Sequence, residues 1–416
     1  MGKILFHIDV NNAFLAWEAV FRLKEDPKSI DLREIPAAIG GRQNELRGVI
    51  TAKSIPCKKY GIITGESVAD AKRKCPVLQL FPGNHKVYRE YSNAFFDILK
   101  EYTPYVKKYS IDEAFMDMTG TEKLWGEPIV AANNLRERIY NDLGFTVNIG
   151  ISSNKLLAKM ASDFEKPNRV HTLFPEEVPT KMWPLPVNNL FGIGRAATAK
   201  LKKYGIDTIG DLANTEVEAL VNIWGKYGVD MWRSANGHSS DELKLVSPPA
   251  KSYGNSTTVS KNIEDIDTAS DVLLSLAESV GTRLRKDNVK IEVIATTIRY
   301  SDFTQESHQR TLSAATNITK EIHQVALDLF KVTWDKKTPI RHLGISTSKV
   351  KDGNDFKQVS IFDMIDSINA GDIDPSSIKA ILADPCSEKL EKADTMVDDI
   401  RTKYGPSAIK RGAVKR

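Results

Sequence analysis

Cysteine is scarce in this chain: Cys57, Cys75 and Cys386 stand far apart among 416 residues, with no metal-ligand spacing. That speaks against a disulfide framework or a cysteine-held metal, and a reducing cytoplasmic setting is expected. Long apolar runs are missing too. None reaches the ~18 residues of a membrane span, and no signal-peptide pattern opens the chain, so neither a membrane nor a secreted protein is expected. Charge of one sign is not in excess: 58 Lys and Arg face 54 Asp and Glu, a net +4. Such a balance permits nucleic-acid binding without arguing for it; clustering has to make that case. What remains, 41% hydrophobic and 27% charged, is ordinary globular composition. A chain of 416 residues outgrows a single core, which stops near ~250–300, so more than one domain is expected.

Against this background one stretch stands out, Tyr109-Ser110-Ile111-Asp112-Glu113-Ala114-Phe115-Met116-Asp117. Two adjacent carboxylates inside an apolar run are costly unless a cation or hydrogen-bond donors compensate. On a regular strand neighbours face opposite ways, so Asp112 and Glu113 could share an ion only at a bend. The same dipeptide at Asp241-Glu242 follows His238, Ser239 and Ser240 and reads as a solvated loop. Far upstream, Lys3-Ile4-Leu5-Phe6-His7-Ile8 reads as a buried strand with Asp9 at its end. Alone, Asp9 would be a turn or a helix cap. With Asp112 and Glu113 it supplies hard oxygen ligands suited to Mg²⁺.

His7-Ile8-Asp9-Val10-Asn11-Asn12-Ala13-Phe14, followed about a hundred residues later by Ser110-Ile111-Asp112-Glu113-Ala114, resembles the catalytic core of Y-family DNA polymerases, the lesion-bypass class, and most of all the bacterial polymerase IV group. The resemblance runs to about residue 350, with a tail motif beyond. It implies a multidomain α/β and α+β right hand: a palm at 1–21 and 85–174, small fingers at 22–84, a helix-hairpin-helix thumb at 175–240, a linker at 241–251, a β-α-β-β-α-β little finger at 252–350 and a tail at 351–416. It further implies a low-fidelity, template-directed DNA polymerase, adding dNTPs to a primer 3′-hydroxyl in translesion synthesis and repair. Asp9, Asp112 and Glu113 would hold two Mg²⁺ ions, with the Val10 carbonyl as a further ligand. Ala13, Phe14, Lys58 and Lys166 would meet the nucleotide, and Phe14 would be the steric gate against a ribose 2′-hydroxyl.

The residues themselves carry a plainer reading beside each role. Phe14, Trp17 and Phe21 have core spacing on a helix over 13–21. Lys58 and Lys59 read as a solvated basic turn, and Lys166 as a helix-end lysine. In Lys53-Ser54-Ile55-Pro56-Cys57-Lys58-Lys59-Tyr60-Gly61 many relatives have a tyrosine and an arginine where this chain has Ile55 and Lys58. Lysine keeps the charge and loses the bidentate fork, so the grip on phosphate is expected to differ. Val130, Leu135 and Ile139 fit a helix ending near Gly144, residues 145–151 a strand, and Ser152-Ser153-Asn154 an N-cap for a helix through Leu156, Met160 and Phe164.

Leu190-Phe191-Gly192-Ile193-Gly194 resembles a helix-hairpin-helix turn, with Gly192, Gly194 and Lys200 as candidate DNA contacts. Gly192-Ile193-Gly194-Arg195-Ala196-Ala197 also fits a dinucleotide-binding pattern, but that needs a preceding strand, and residues 184–189 make a poor one. After Ser247-Pro248-Pro249, where Lys244 and Lys251 could lie along the duplex, helices through Leu273, Leu276, Val280, Leu284 and through Ile322, Val325, Leu329 alternate with four strands. Gln358, Ile361 and Phe362 resemble the bacterial sliding-clamp peptide, whose apolar anchors fill a partner's pocket; a helix packing on its own domain is the plainer alternative. Leu390, Ala393, Val397 and Ile400 define one more amphipathic helix over 388–404, and Lys410, Arg411, Lys415 and Arg416 a basic end. A monomer acting on primer-template DNA is expected. Two rivals are a nucleotide cyclase, which has no use for the helix-hairpin-helix or the clamp peptide, and a non-catalytic DNA- and clamp-binding module, which has none for the acidic triad.

Overall fold

A computed structural model of the chain describes residues 2–41, 48–239, 242–243, 245–246, 248–353, 385–405 and 407–409. Contacts divide it into two compact units, Met1–Ser247 and Pro248–Arg416.

The first unit opens with β1 (Leu5–Val10), buried along its whole length, and α1 (Ala13–Glu25). A small mixed sheet follows, β2 (Ala37–Ile39), β3 (Ala52–Lys53) and, after α2 (Val68–Lys74), β4 (Gln79–Phe81). Its strand order is β3-β2-β4, over a core of Ala38, Ile50, Cys57 and Leu80. Next come α3 (His85–Tyr102), the hairpin strands β5 (Val106–Lys108) and β6 (Glu113–Asp117), α4 (Glu122–Trp125) and α5 (Pro128–Leu143). The segment closes with β7 (Val147–Ser152), α6 (Lys155–Ser162) and β8 (Val170–Thr172).

These strands form a sheet ordered β5-β6-β1-β7-β8, with β1 antiparallel to both neighbours. Strand alternation sorts its two faces. Phe6, Ile8, Val147, Ile149 and Ile151 enter one apolar core with Trp17, Phe95 and Leu135 of α1, α3 and α5. The other face presents His7, Asp9, Asn148 and Gly150 to α6. A Cβ at Gly150 would collide with the Ala158 carbonyl and the Ser162 amide, so glycine is what lets α6 lie against β7. Asn154 caps α6, accepting from the Leu157 N–H at 2.9 Å. The helix stops at Ser162, short of the Phe164 expected from spacing, and Val130 of α5 is exposed while Ala131, Ala132, Leu135 and Ile139 are buried.

Four short helices complete the unit: α7 (Arg195–Lys203), α8 (Ile209–Ala213), α9 (Val217–Trp224) and α10 (Lys226–Ala235). Leu201, Leu212, Leu220 and Met231 join Leu156 and Met160 of α6 in a second core.

The second unit runs β9 (Tyr253–Ile263), α11 (Ile266–Lys286), β10 (Val289–Tyr300), β11 (Gln305–Thr316), α12 (Thr319–Thr333) and β12 (Ile340–Asp352). This is the β-α-β-β-α-β order read from the sequence. The sheet is antiparallel throughout, ordered β11-β10-β12-β9, and Leu273, Val280, Ile294, Ile322 and Phe330 fill the space between it and the two helices.

A last helix, α13 (Pro385–Tyr404), lies on α11. Its expected apolar face needs correcting: Ala393 is exposed and Asp394 is buried. Arg285 of α11 donates to Asp394 at 3.2 Å and Asp398 at 2.7 Å, Arg401 meets Glu278, and Asp394 accepts the Thr319 N–H at 2.8 Å. The helix thus supplies a cap that α12, led in by Ile318, lacks.

Candidate active site

Antiparallel register sets Asp9 of β1 against Glu113, the first residue of β6. Asp112 lies in the bend just before that strand, the irregularity that adjacent carboxylates need to act together. The bend is pinned twice: the Val10 N–H donates to the Asp112 carbonyl at 3.1 Å, and Ser110 Oγ donates to Asp112 Oδ1. Burial pushes the Asp112 carboxyl up, and the charges of Asp9 and Glu113 add to that against the Ser110 hydrogen bond.

Two lysines stand among the acids. Lys166 Nζ is 2.6 Å from Asp9 Oδ2 and 2.8 Å from Asp163. Lys159 Nζ is 3.1 Å from Glu113, 3.2 Å from Asp163 and 3.6 Å from Asp9. Burial works against both ammonium groups, but Asp9 first and the other acids with it hold their pKa values above the usual lysine range. Burial works upward on Glu113 as well, and there His7 and Lys159 outweigh it, bringing that carboxyl down to about 2. Among the described residues, no three acid, histidine or cysteine side chains converge closely enough to coordinate a metal as placed. Protein cations stand there instead. The donor set, carboxylate oxygens gathered around countercharge, fits a hard divalent cation.

His7 is fully buried, and burial lowers its pKa, keeping the ring neutral. Its Nδ1 lies 2.8 Å from Ser162 Oγ, which also donates to the Lys159 carbonyl. Nε2 is 3.7 Å from Glu113, beyond hydrogen-bond length. Asn148, also buried, ties down the loop carrying Lys166: its amide donates to the Ser162 and Glu165 carbonyls and accepts the Arg169 N–H.

Ala13 is buried at the start of α1. Phe14 is half-buried, stacked on Tyr88 with centroids 4.9 Å apart and meeting His85 edge-on at 5.9 Å. A ring buttressed this way cannot fold aside. Lys58 and Ile55 are exposed on the 3₁₀ turn Ile55–Tyr60. Lys53, half-buried beside them, has its pKa lowered by burial and then by the charge of Lys58, so two cations share this corner.

At the hairpin before α7, Gly192 has φ +93, which favours glycine, and its carbonyl accepts from the Tyr227 hydroxyl at 2.9 Å. A Cβ at Gly194 would meet nothing within 4 Å, so this turn is open on that side. Lys200 is turned to the Ile223 carbonyl and lies 5.0 Å over the Trp224 ring. The residues before it form a 3₁₀ turn, Val187–Asn189, and not a strand, which removes the dinucleotide reading. Lys251 is exposed, while Lys244 and the clamp-like Gln358, Ile361 and Phe362 lie outside the described residues. Sequence reasoning gave no role to Lys159 or Asn148, and quoted Lys53 only as the start of its segment. Lys159 stands four residues before Asp163, a spacing that by itself marks only a helix-surface ion pair. His7, a histidine in the middle of an apolar strand, was the one signal that could have been followed.

Comparison with known proteins agrees with this geometry. Family models match residues 8–163 (the impB/mucB/samB family), 175–206 (the IMS family HHH motif) and 250–361 (the impB/mucB/samB family C-terminal domain). DNA polymerase IV of Clostridium acetobutylicum is 40% identical over 414 residues, all of this chain and 98% of that protein. DNA polymerase IV of Alkaliphilus oremlandii is 35% identical over 415 residues, spanning 100% of this chain and 99% of that protein. A Y-family DNA polymerase chimera built of Dbh and Dpo4 superposes with a TM-score of 0.70 at 22% identity, covering 84% of this chain and 99% of its own. Alike in sequence over its whole length and in fold over most of it, the chain belongs to the impB/mucB/samB family of Y-family DNA polymerases, the family of DNA polymerase IV.

Proposed function

We propose that the protein is a low-fidelity, template-directed DNA polymerase of the translesion kind, adding deoxynucleotides to a primer 3′-hydroxyl by two-metal phosphoryl transfer. The observation that supports this most directly is the register of Asp9 against Glu113 with Asp112 in the adjoining bend. When bound at Asp9, Asp112, Glu113 and the Val10 carbonyl, Mg²⁺ would lower the pKa of the attacking hydroxyl and steady the leaving pyrophosphate. Everything else falls to the chain. Lys58 and Lys166 hold triphosphate oxygens as point charges, and Lys53 adds a cation where an arginine fork is missing. Phe14, backed by Tyr88, excludes a 2′-hydroxyl, which would lose its hydrogen bonds against the ring. The Gly192–Gly194 turn offers backbone N–H groups to a duplex phosphate. Residues 358–363 dock a sliding clamp, and the protein works as a monomer.

Primer extension with Mg²⁺ tests the reading. Wild type extends a primed template, Glu113→Gln lowers extension by at least about a hundredfold, and Phe14→Ala admits ribonucleotides that wild type rejects. A folded, DNA-binding wild type that extends nothing would overturn the proposal.

A further inference from the structure

Helix α5 sends Leu135 and Ile139 into the apolar core behind the sheet. Arg136, beside Leu135 in the chain, carries a cation whose side chain is only 19% exposed. That charge is poorly compensated. Its ion-pair partner Glu137 is 3.4 Å away and largely exposed, and Arg136 Nε is buried with no hydrogen-bond partner among the described residues. Of the five N–H donors a guanidinium offers, one makes a well-formed bond across the fold, Nη1 to the Asn168 carbonyl at 2.9 Å. A charge held on such terms is a weak source of stability. Its position gives it another use.

Asn168 stands two residues after Lys166 and has φ +61, in the left-handed region. Its own Oδ1 is buried without a partner among the described residues, so it accepts nothing that would hold this turn from within. The hold comes from outside. From the sheet, Asn148 donates to the Glu165 carbonyl at 2.9 Å and accepts the Arg169 N–H at 3.2 Å. From α5, Arg136 takes the Asn168 carbonyl. Asn148 is also the register partner of Asp9, the acid that Lys166 Nζ meets at 2.6 Å. Lys166 thus leaves a short segment gripped at 165, 168 and 169. We propose that Arg136 is a positioning residue for the incoming triphosphate: by fixing the Asn168 carbonyl, it sets where the Lys166 ammonium stands when a dNTP enters. The proposal rests on the polymerase reading above, with Lys166 on the triphosphate, and adds to it a residue from the helix layer behind the sheet.

The test is single-turnover insertion of dTTP opposite a template adenine, with apparent dTTP affinity and maximal rate measured separately. Arg136→Met keeps the apolar stem and removes every donor. It should weaken dTTP affinity by roughly ten- to a hundredfold, the scale of a misplaced positioning group. The maximal rate should stay within about threefold of wild type, and affinity for primer-template should not change. Arg136→Lys should recover most of the loss, because an ammonium can still donate to the Asn168 carbonyl. In a Lys166→Ala background, Arg136→Met should cost less than about twofold, since the group it positions is gone. An equal loss with and without Lys166 would show a plain structural link between α5 and the loop and overturn the proposal. Wild-type dTTP affinity in Arg136→Met would overturn it as well. Wild type that inserts no nucleotide would instead count against the polymerase reading, so the two failures are distinguishable.

Discussion

Asp112 and Glu113 are neighbours in the chain, and the fold shifts their ionisation in opposite directions. An acid whose folded pKa is depressed, as Glu113 is to about 2, stabilises the fold above its ordinary 4.5 and loses that contribution as pH falls towards 2. An acid whose folded pKa is raised, as for Asp112, contributes stability below its ordinary 3.8 and loses it as pH climbs through the raised value. In metal-free protein at pH 7 the two amides should therefore act in opposite directions. Asp112→Asn should raise the melting temperature by ~1–3 °C, and Glu113→Gln, which strips Lys159 of a partner, should lower it by a similar amount. Circular-dichroism melts in chelator decide this, and shifts of the same sign would contradict the assignment. The acids were legible in the sequence because a charged pair in an apolar run is conspicuous. Their counter-charges were not: Lys159 belongs to Glu113 only through the β1–β6 register and the seat of α6 on the sheet, and neither is local.

Elements read well where hydropathy decides and badly where charge is buried. The strands and the β-α-β-β-α-β order follow from apolar periodicity, and Asn154 is a cap that composition announces. Gly150 is different: only the approach of α6 shows why no side chain fits. Gly150→Ala should cost about 3 kcal/mol or more in denaturant unfolding, since both atoms it would strike are backbone. An unchanged midpoint would mean that α6 can move away freely. Helix α13 was misread at one position, because periodicity counts Ala393 and discounts Asp394, whereas the structure half-buries Leu390, Val397 and Ile400 and buries the acid against Arg285. Asp394→Ala should destabilise the second unit by about 3–5 kcal/mol, the usual result of orphaning a buried charge. Asp394→Asn should cost less, because its amide oxygen still accepts from the Thr319 N–H. If apolar contacts held this helix, both variants would be nearly neutral and Val397→Ala would be the damaging change.

At the scale of the molecule, a net charge of +4 gives no general attraction to DNA, so binding has to come from placed cations. If about six phosphates are gripped, affinity for primer-template should fall roughly a thousandfold between 50 and 200 mM salt. Titration by anisotropy measures it, and a shallow dependence would mean that fewer phosphates are gripped. One helix of eight residues, α6, touches the acids, the hairpin turn and the segment after α10. Its Lys159 neutralises the acids and its Met160 receives the hairpin turn. Lys155 holds the carbonyl of Glu242, and the cap Asn154 donates to that of Gly237. Grip and chemistry therefore hang on one rigid lever. Whatever seats the duplex also sets where the Lys159 ammonium stands, and free-energy coupling runs both ways. Duplex should raise the affinity for the divalent cation, and the cation should tighten the hold on duplex by the same factor.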